Sequence, residues 1–427
     1  MKRMISLILA LSLLCAGGLA GCTPEQSTDL METYRPNAIQ ISGDPKTGIS
    51  AAADFSVELF QHSVSLGGNT LISPMSVLVA LSMTANGADG QTLAQMEQVL
   101  GTDVQTLNCF LYEYLNRLPD EEKCALRFAN SLWFKDAITF EVNPIFLQTN
   151  ADYYRAGIYK APFDESTRDE INNWVKENTD GMIPGIVDQI PEAAVMYLIN
   201  ALAFDAQWAT IYTENQISDG IFHLMDPDGT TRSVEMMYST EGLYLEDGDT
   251  IGFIKPYSGG TCAFVALLPP EGMSVEEYAA TLTGEKLLEL LSNPKQCIVN
   301  AGIPKFQMSY GVEMSNLLKS MGMEDAFRRD KADFSRLGQS SDGNLVINRV
   351  LHKSFIALDE KGTKAGAATS VEVNAPTSLA PVEKETVILD RPFVYLLIDF
   401  RTNLPFFMGT MTDPAQTEHT PAVPEIG

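Results

Sequence analysis

The chain has 427 residues, 45% of them hydrophobic, enough to bury a large core, which excludes a wholly disordered protein. Acidic residues outnumber basic ones 55 to 29, a formal charge of −26. A surface so negative repels phosphate backbones and anionic lipid headgroups, so no nucleic-acid partner is expected.

The N-terminus reads as a targeting segment, with Lys2 and Arg3 ahead of an apolar run over residues 4–14 and small residues up to Gly21. The run is short for a membrane span. Leu19-Ala20-Gly21-Cys22 resembles the bacterial lipobox, in which the cysteine is lipidated and becomes the new N-terminus; ordinary secretory cleavage is the alternative. On the lipobox reading residues 1–21 are lost, the charge becomes −28, and Cys22 anchors an extracellular protein whose one contact with the membrane is its lipid. Residues 22–50, rich in Pro, Thr, Ser, Gly and charge, read as a flexible tether. Residues 51–413 show no repeat or compositional break and read as one domain, and 414–427, with three prolines, as a loose tail.

Helical signals come first in the body. Ala52, Phe55 and Leu59 recur at spacings of three and four. Ser73-Pro74 is a helix cap with proline at the first helical position, opening a run through Met75, Leu78 and Val79. Leu93, Met96 and Leu100 form a stripe ended by Gly101, and Ile171, Trp174 and Val175 a shorter one ended near Asp180-Gly181. Strand signals follow at 197–204, 263–268, 298–303 and 345–350, then at 387–389, 394–400 and 406–410, with helical Met314, Leu317, Leu318 and Met321 between them. The class is α+β with large sheets. Of the four cysteines after Cys22, Cys262 and Cys297 sit in apolar, strand-like surroundings and read as small buried hydrophobes; Cys109 and Cys124 are either free or joined in a disulfide. No Cys/His spacing points to a metal, and no cofactor is expected.

Residues 360–380 combine loop composition with a strand pattern. Thr363, Ala365, Ala367, Thr369, Val371 and Val373 form one alternate set, all small or β-branched, while the charged Lys364 and Glu372 fall in the other. That is a strand with one face buried. Pro376 lacks an amide hydrogen and ends any ladder it enters. An ordinary edge strand and a loop able to become a strand later both fit.

Several segments resemble the serpin family, in family order from about Ala52 to Asp413. Val350-Leu351-His352-Lys353-Ser354-Phe355 and Leu358-Asp359-Glu360-Lys361-Gly362-Thr363 are similar to its strand leading into the reactive-loop hinge, and Leu389-Asp390-Arg391-Pro392-Phe393-Val394-Tyr395 and Pro405-Phe406-Phe407-Met408-Gly409 to its C-terminal signature and last strand. Asn69 to Ser76, Leu198-Ile199-Asn200-Ala201 with Trp208, and Lys331-Ala332-Asp333-Phe334-Ser335 match further segments. The resemblance implies a serpin fold with three β-sheets, about nine helices and an exposed reactive-centre loop. It implies a metastable monomer that is cut in that loop, inserts it into the main sheet and traps the attacking serine protease as a covalent acyl-enzyme.

On that resemblance Glu360, Gly362, Thr363, Ala365, Gly366, Ala367 and Ala368 form the hinge, small and uncharged on one face as insertion requires. Ser73, Ser76, Asn200 and His352 match a polar cluster beneath the sheet, and Trp208 the aromatic where insertion begins. The family's usual spacing places the cut at Pro376, a poor residue on the acyl side, so Thr377–Ser378 is preferred, with Ser378–Leu379 and Leu379–Ala380 as alternatives. Those bonds suit elastase-, chymotrypsin- or subtilisin-like enzymes; no Arg or Lys lies between Lys364 and Lys384 to suit a trypsin-like one. Cysteine proteases are further candidate targets, and a non-inhibitory binding serpin is the rival reading.

Enzyme readings are weak. Four histidines (His62, His223, His352, His419) fall in no HExxH, and no GxSxG or phosphate-binding glycine loop occurs. Ser292-Asn293-Pro294-Lys295 fits Ser-x-x-Lys, but its proline breaks the helix that motif needs.

Overall fold

The computed structural model describes residues 27–39, 41, 44–136, 140–340, 343–363 and 383–423. Among these residues nine α-helices surround three β-sheets, the α+β architecture the resemblance implies.

The cap and periodicity signals correspond to helices. Asp44 accepts from the Lys46 amide and Pro45 opens Pro45–Val64, so this helix starts ahead of the Ala52 stripe. Ser73 caps Pro74–Ala85, every residue of which is buried. Gly90–Leu100 stops at Gly101, whose φ of 83° is left-handed and suits glycine. The strand expected at 345–350 begins only at Arg349 and runs to Leu358. The Asn348 carboxamide accepts from the Val195 and Met196 amides, which makes it a junction rather than a ladder residue.

The main sheet has nine strands. Its order is Thr28–Asp29, Gly157–Ala161, Cys124–Lys135, Met196–Gln207, Gly362–Thr363, Arg349–Leu358, Phe306–Glu313 and Glu418–His419, with Asp120–Glu121 paired to Cys124–Lys135. The second sheet, also of nine strands, packs against it; Phe204 of the first meets Tyr257 and Phe406, with ring centroids 5.0 and 4.9 Å apart. Phe140–Val142 and Gly338–Ser340 form the third sheet. The feature that positions everything below is a seam in the main sheet. Residues Arg349 to Ser354 pair parallel with Tyr197 to Leu202. Above that point the two strands diverge, and Gly362–Thr363 sits between them, with Gly362 opposite Gln207 and Thr363 opposite both Ala206 and Leu358.

Two stretches expected to be loose carry structure. Within 22–50, Thr28–Asp29 pairs with Lys160 and Tyr159, Leu30 donates to the Ile158 carbonyl, and Leu30, Met31 and Tyr34 pack on the core. Apolar side chains hidden in a polar composition account for the difference. Within 414–427, Glu418–His419 adds to Phe306–Glu313 as a parallel strand. Buried Asn69 holds this end in place: its Oδ1 accepts from the Thr412 and Asp413 amides at 2.7 and 3.0 Å, and its Nδ2 donates to the Asp413 and Gln416 carbonyls at 2.7 and 3.0 Å. Asn69→Ala strands these groups and is expected to lower unfolding free energy by about 2–4 kcal/mol in urea titrations, whereas Gln416→Ala costs about 1 kcal/mol.

Candidate functional site

At the top of the seam, Asp359 turns the chain back. Its side chain accepts from the Lys361 and Gly362 amides at 2.8 and 3.2 Å, and its own amide donates to the Gly362 carbonyl at 2.9 Å. A Cβ on Gly362 would lie 2.0 Å from the Ala206 carbonyl oxygen, so glycine is what lets the returning chain enter between the strands. Trp208 receives the turn: its amide donates to the Lys361 carbonyl at 2.8 Å and its indole Nε1–H to the Asp359 carbonyl at 2.9 Å. The indole stacks on Tyr257, centroids 4.4 Å apart, and the Tyr257 hydroxyl lies 2.5 Å from Thr363 Oγ1. Thr363 is 1% exposed, its side chain turned into the protein.

Charge is confined to the rim and to one buried pair. Glu360 meets Lys305 at 2.9 Å, and this hydrogen bond holds its carboxyl below the usual carboxylate range. Beneath Trp208, buried Lys255 pairs with Glu241 at 2.7 Å and lies over the rings of Tyr212 and Trp208, 4.5 and 5.3 Å from their centroids.

Lower on the seam a polar cluster spans the junction. Asn130, Asn200 and His352 lie directly opposite one another on three neighbouring strands. The Ser73 amide can only donate, and it reaches His352 Nε2 at 3.1 Å; that nitrogen is therefore an acceptor, shared with the Ser354 hydroxyl at 2.8 Å. Nδ1–H then donates to Asn200 Oδ1 at 2.5 Å. Asn200 Nδ2 donates to Ser76 Oγ and Asn130 Oδ1, both at 2.6 Å. Complete burial pushes the His352 imidazole down to about 3, so it is neutral across the physiological range.

The structure thus brings Ser73, Ser76, Asn200 and His352 together, and gathers Trp208, Glu360, Gly362 and Thr363 at the seam's top. Ala365, Gly366, Ala367, Ala368, Pro376, Thr377, Ser378, Leu379, Ala380 and Cys22 lie outside the described residues. Asn130, Ser354 and Tyr257 belong to these clusters too, yet each is one unremarkable residue in a strand; with period-2 alternation alone they carry no signal. Ser292 closes the helix Gly284–Ser292, donating to the Leu288 carbonyl, and Lys295 opens a strand and pairs with Glu383, so Ser-x-x-Lys forms no site. Cys262 and Cys297 are buried as expected, and Cys109 and Cys124 are both free.

A main sheet with Gly362–Thr363 lodged between two diverging central strands defines a class. Residues 50–414 match the family described as Serpin (serine protease inhibitor), and the chain belongs to the serpin family. It is 31% identical to leukocyte elastase inhibitor A of Mus musculus over 387 residues, covering 86% of this chain and 99% of the relative. The crystal structure of the thermophilic serpin tengpin in its native state is 49% identical and superimposes with a TM-score of 0.86, covering 91% of this chain and all of that one. Human thyroxine-binding globulin complexed with its hormone is 26% identical, with a TM-score of 0.77 over 87% of this chain and 99% of that one.

The neutral His352 makes stability pH-dependent. The unfolded chain protonates this residue near pH 6.5 and the folded one near 3, so acidification between those values favours unfolding. From pH 6.5 to 5 the wild type should lose about 1.5 kcal/mol more than His352→Gln, read from urea midpoints at both pH values.

Proposed function

We propose that this serpin is a suicide inhibitor of serine proteases. A protease cuts the loop that follows Thr363; the loop then enters the main sheet, and the acyl-enzyme is carried off before hydrolysis is complete. The observation that carries this reading is the buried Thr363, the first member of the small, uncharged alternate set, sitting between the two strands that must part. The remaining members, Ala365, Ala367, Thr369, Val371 and Val373, share its parity in the sequence, so a ladder extended through them buries no charge on that face.

The preferred scissile bond is Thr377–Ser378, with Ser378–Leu379 and Leu379–Ala380 as alternatives, and the targets are elastase-, chymotrypsin- or subtilisin-like. The similarity to a leukocyte elastase inhibitor supports that range. The protein acts as a monomer outside the cell, held to the membrane by lipid on Cys22 of a bacterial-type lipoprotein signal. The second reading, a non-inhibitory binding serpin, is favoured by the similarity to thyroxine-binding globulin and opposed by the uncharged inner face of the hinge.

Incubation with elastase or subtilisin should give an SDS-stable adduct and a C-terminal fragment whose mass starts at Ser378, and the cleaved protein should melt higher than the intact one. Cleavage without adduct and without gain in melting temperature defeats the inhibitory reading. Thr363→Arg places an unpaired charge in a site with no solvent, a cost of several kcal/mol to insertion, and should convert the protein from inhibitor to substrate. An unchanged adduct yield for this variant overturns the assigned direction of Thr363.

A further inference from the structure

Two cysteines meet just behind the hinge. Cys124 opens the main-sheet strand Cys124–Lys135, and Cys262 opens the second-sheet strand Cys262–Leu268. They are 2% and 1% exposed, and each thiol shifts the other's protonation, Cys124 downward and Cys262 upward. Thr261 Oγ1 lies 3.9 Å from one sulfur and 4.0 Å from the other. The Tyr257 amide donates to the Cys262 carbonyl, and the Tyr257 hydroxyl reaches Thr363. Across the sheet, Cys124 is opposite Ala206, and Ala206 is opposite Thr363. Cys124 is therefore on the same side of the seam as Met196–Gln207, and its partner is on the sheet beneath.

We propose that Cys124 and Cys262 form a reversible disulfide that arrests strand insertion by bolting the main sheet to the second sheet. The proposal rests on the inhibitory reading. Admitting a strand requires the seam to widen by one strand spacing, ~4.8 Å. A disulfide confines its two Cα atoms to ~4.4–6.8 Å, so the side of the seam carrying Cys124 can no longer shift against the sheet below. The oxidant is a disulfide compound or a disulfide-exchange oxidoreductase. The Cys124 thiolate, favoured by the S–H of Cys262 donating to it, attacks the oxidant's S–S bond and releases one thiol. Cys262 then gives up its proton and attacks Cys124 Sγ in the mixed disulfide, releasing the second thiol. Two protein thiols are oxidised and one external disulfide is reduced.

The test treats the full chain with oxidised glutathione. Intact mass should show loss of two hydrogens without a retained glutathione, and peptide mapping should join the Cys124 peptide to the Cys262 peptide. Adduct yield with subtilisin should then fall roughly tenfold or more, equivalent to ~1.4 kcal/mol on the insertion barrier, and dithiothreitol should restore it. Cys124→Ala and, separately, Cys262→Ala should keep full yield under oxidation. A cross-link to Cys109 instead, a retained mixed disulfide, or no cross-link overturns the proposal, as does a Cys124–Cys262 bond that leaves adduct yield unchanged. Absence of adduct from the reduced protein defeats the inhibitory reading and the arrest with it, while the cross-link is still read by mass.

Discussion

The structure depends on a ladder that stops short. Met196–Gln207 and Arg349–Leu358 are 12 and 10 residues long, yet they pair with each other only from Tyr197 to Leu202 and from Arg349 to Ser354. Backbone amides and carbonyls buried in a sheet need partners. Above the paired segment that need is met in part by Gly362 and Thr363, which belong to neither strand. The turn at Asp359 brings these two residues back into the upper seam.

Below, the seam is closed by side chains of an unusual kind for a core. Apolar packing across a junction resists separation through lost contacts on every face. A network of Ser, Asn and His exchanges discrete hydrogen bonds instead, each worth about 1 kcal/mol net but costly when left unmade. Such a junction is either fully formed or broken, so separating its strands would meet a defined threshold. The neutral imidazole of His352 is central because its two nitrogens do different jobs, one accepting from the helix cap at Ser73 and the other donating across the seam to Asn200.

Much of this was legible in the sequence. The cap at Ser73-Pro74 and the glycine stop at Gly101 each reflect a local rule, and each holds in the structure. What lay hidden was whatever depends on contacts distant in sequence. Asn130 joins the cluster because Cys124–Lys135 lies beside Met196–Gln207, a pairing that alternation does not encode. Cys124 shares the Thr261 hydroxyl with Cys262, rather than bonding to Cys109, for the same reason. The strand Thr231–Asp247 escaped notice because its exposed face is too polar to show an apolar run. Residues 27–39 were disguised by a linker-like composition whose few apolar side chains find the core.

The outermost strands of the main sheet have a consequence of their own. Thr28–Asp29 lies at one border and Glu418–His419 at the other, each two residues long and carrying an acidic side chain. A sheet edge left bare can recruit a strand from another molecule. Short acidic strands on both borders leave little bare backbone there, which sets the molecule against forming fibres with its own kind.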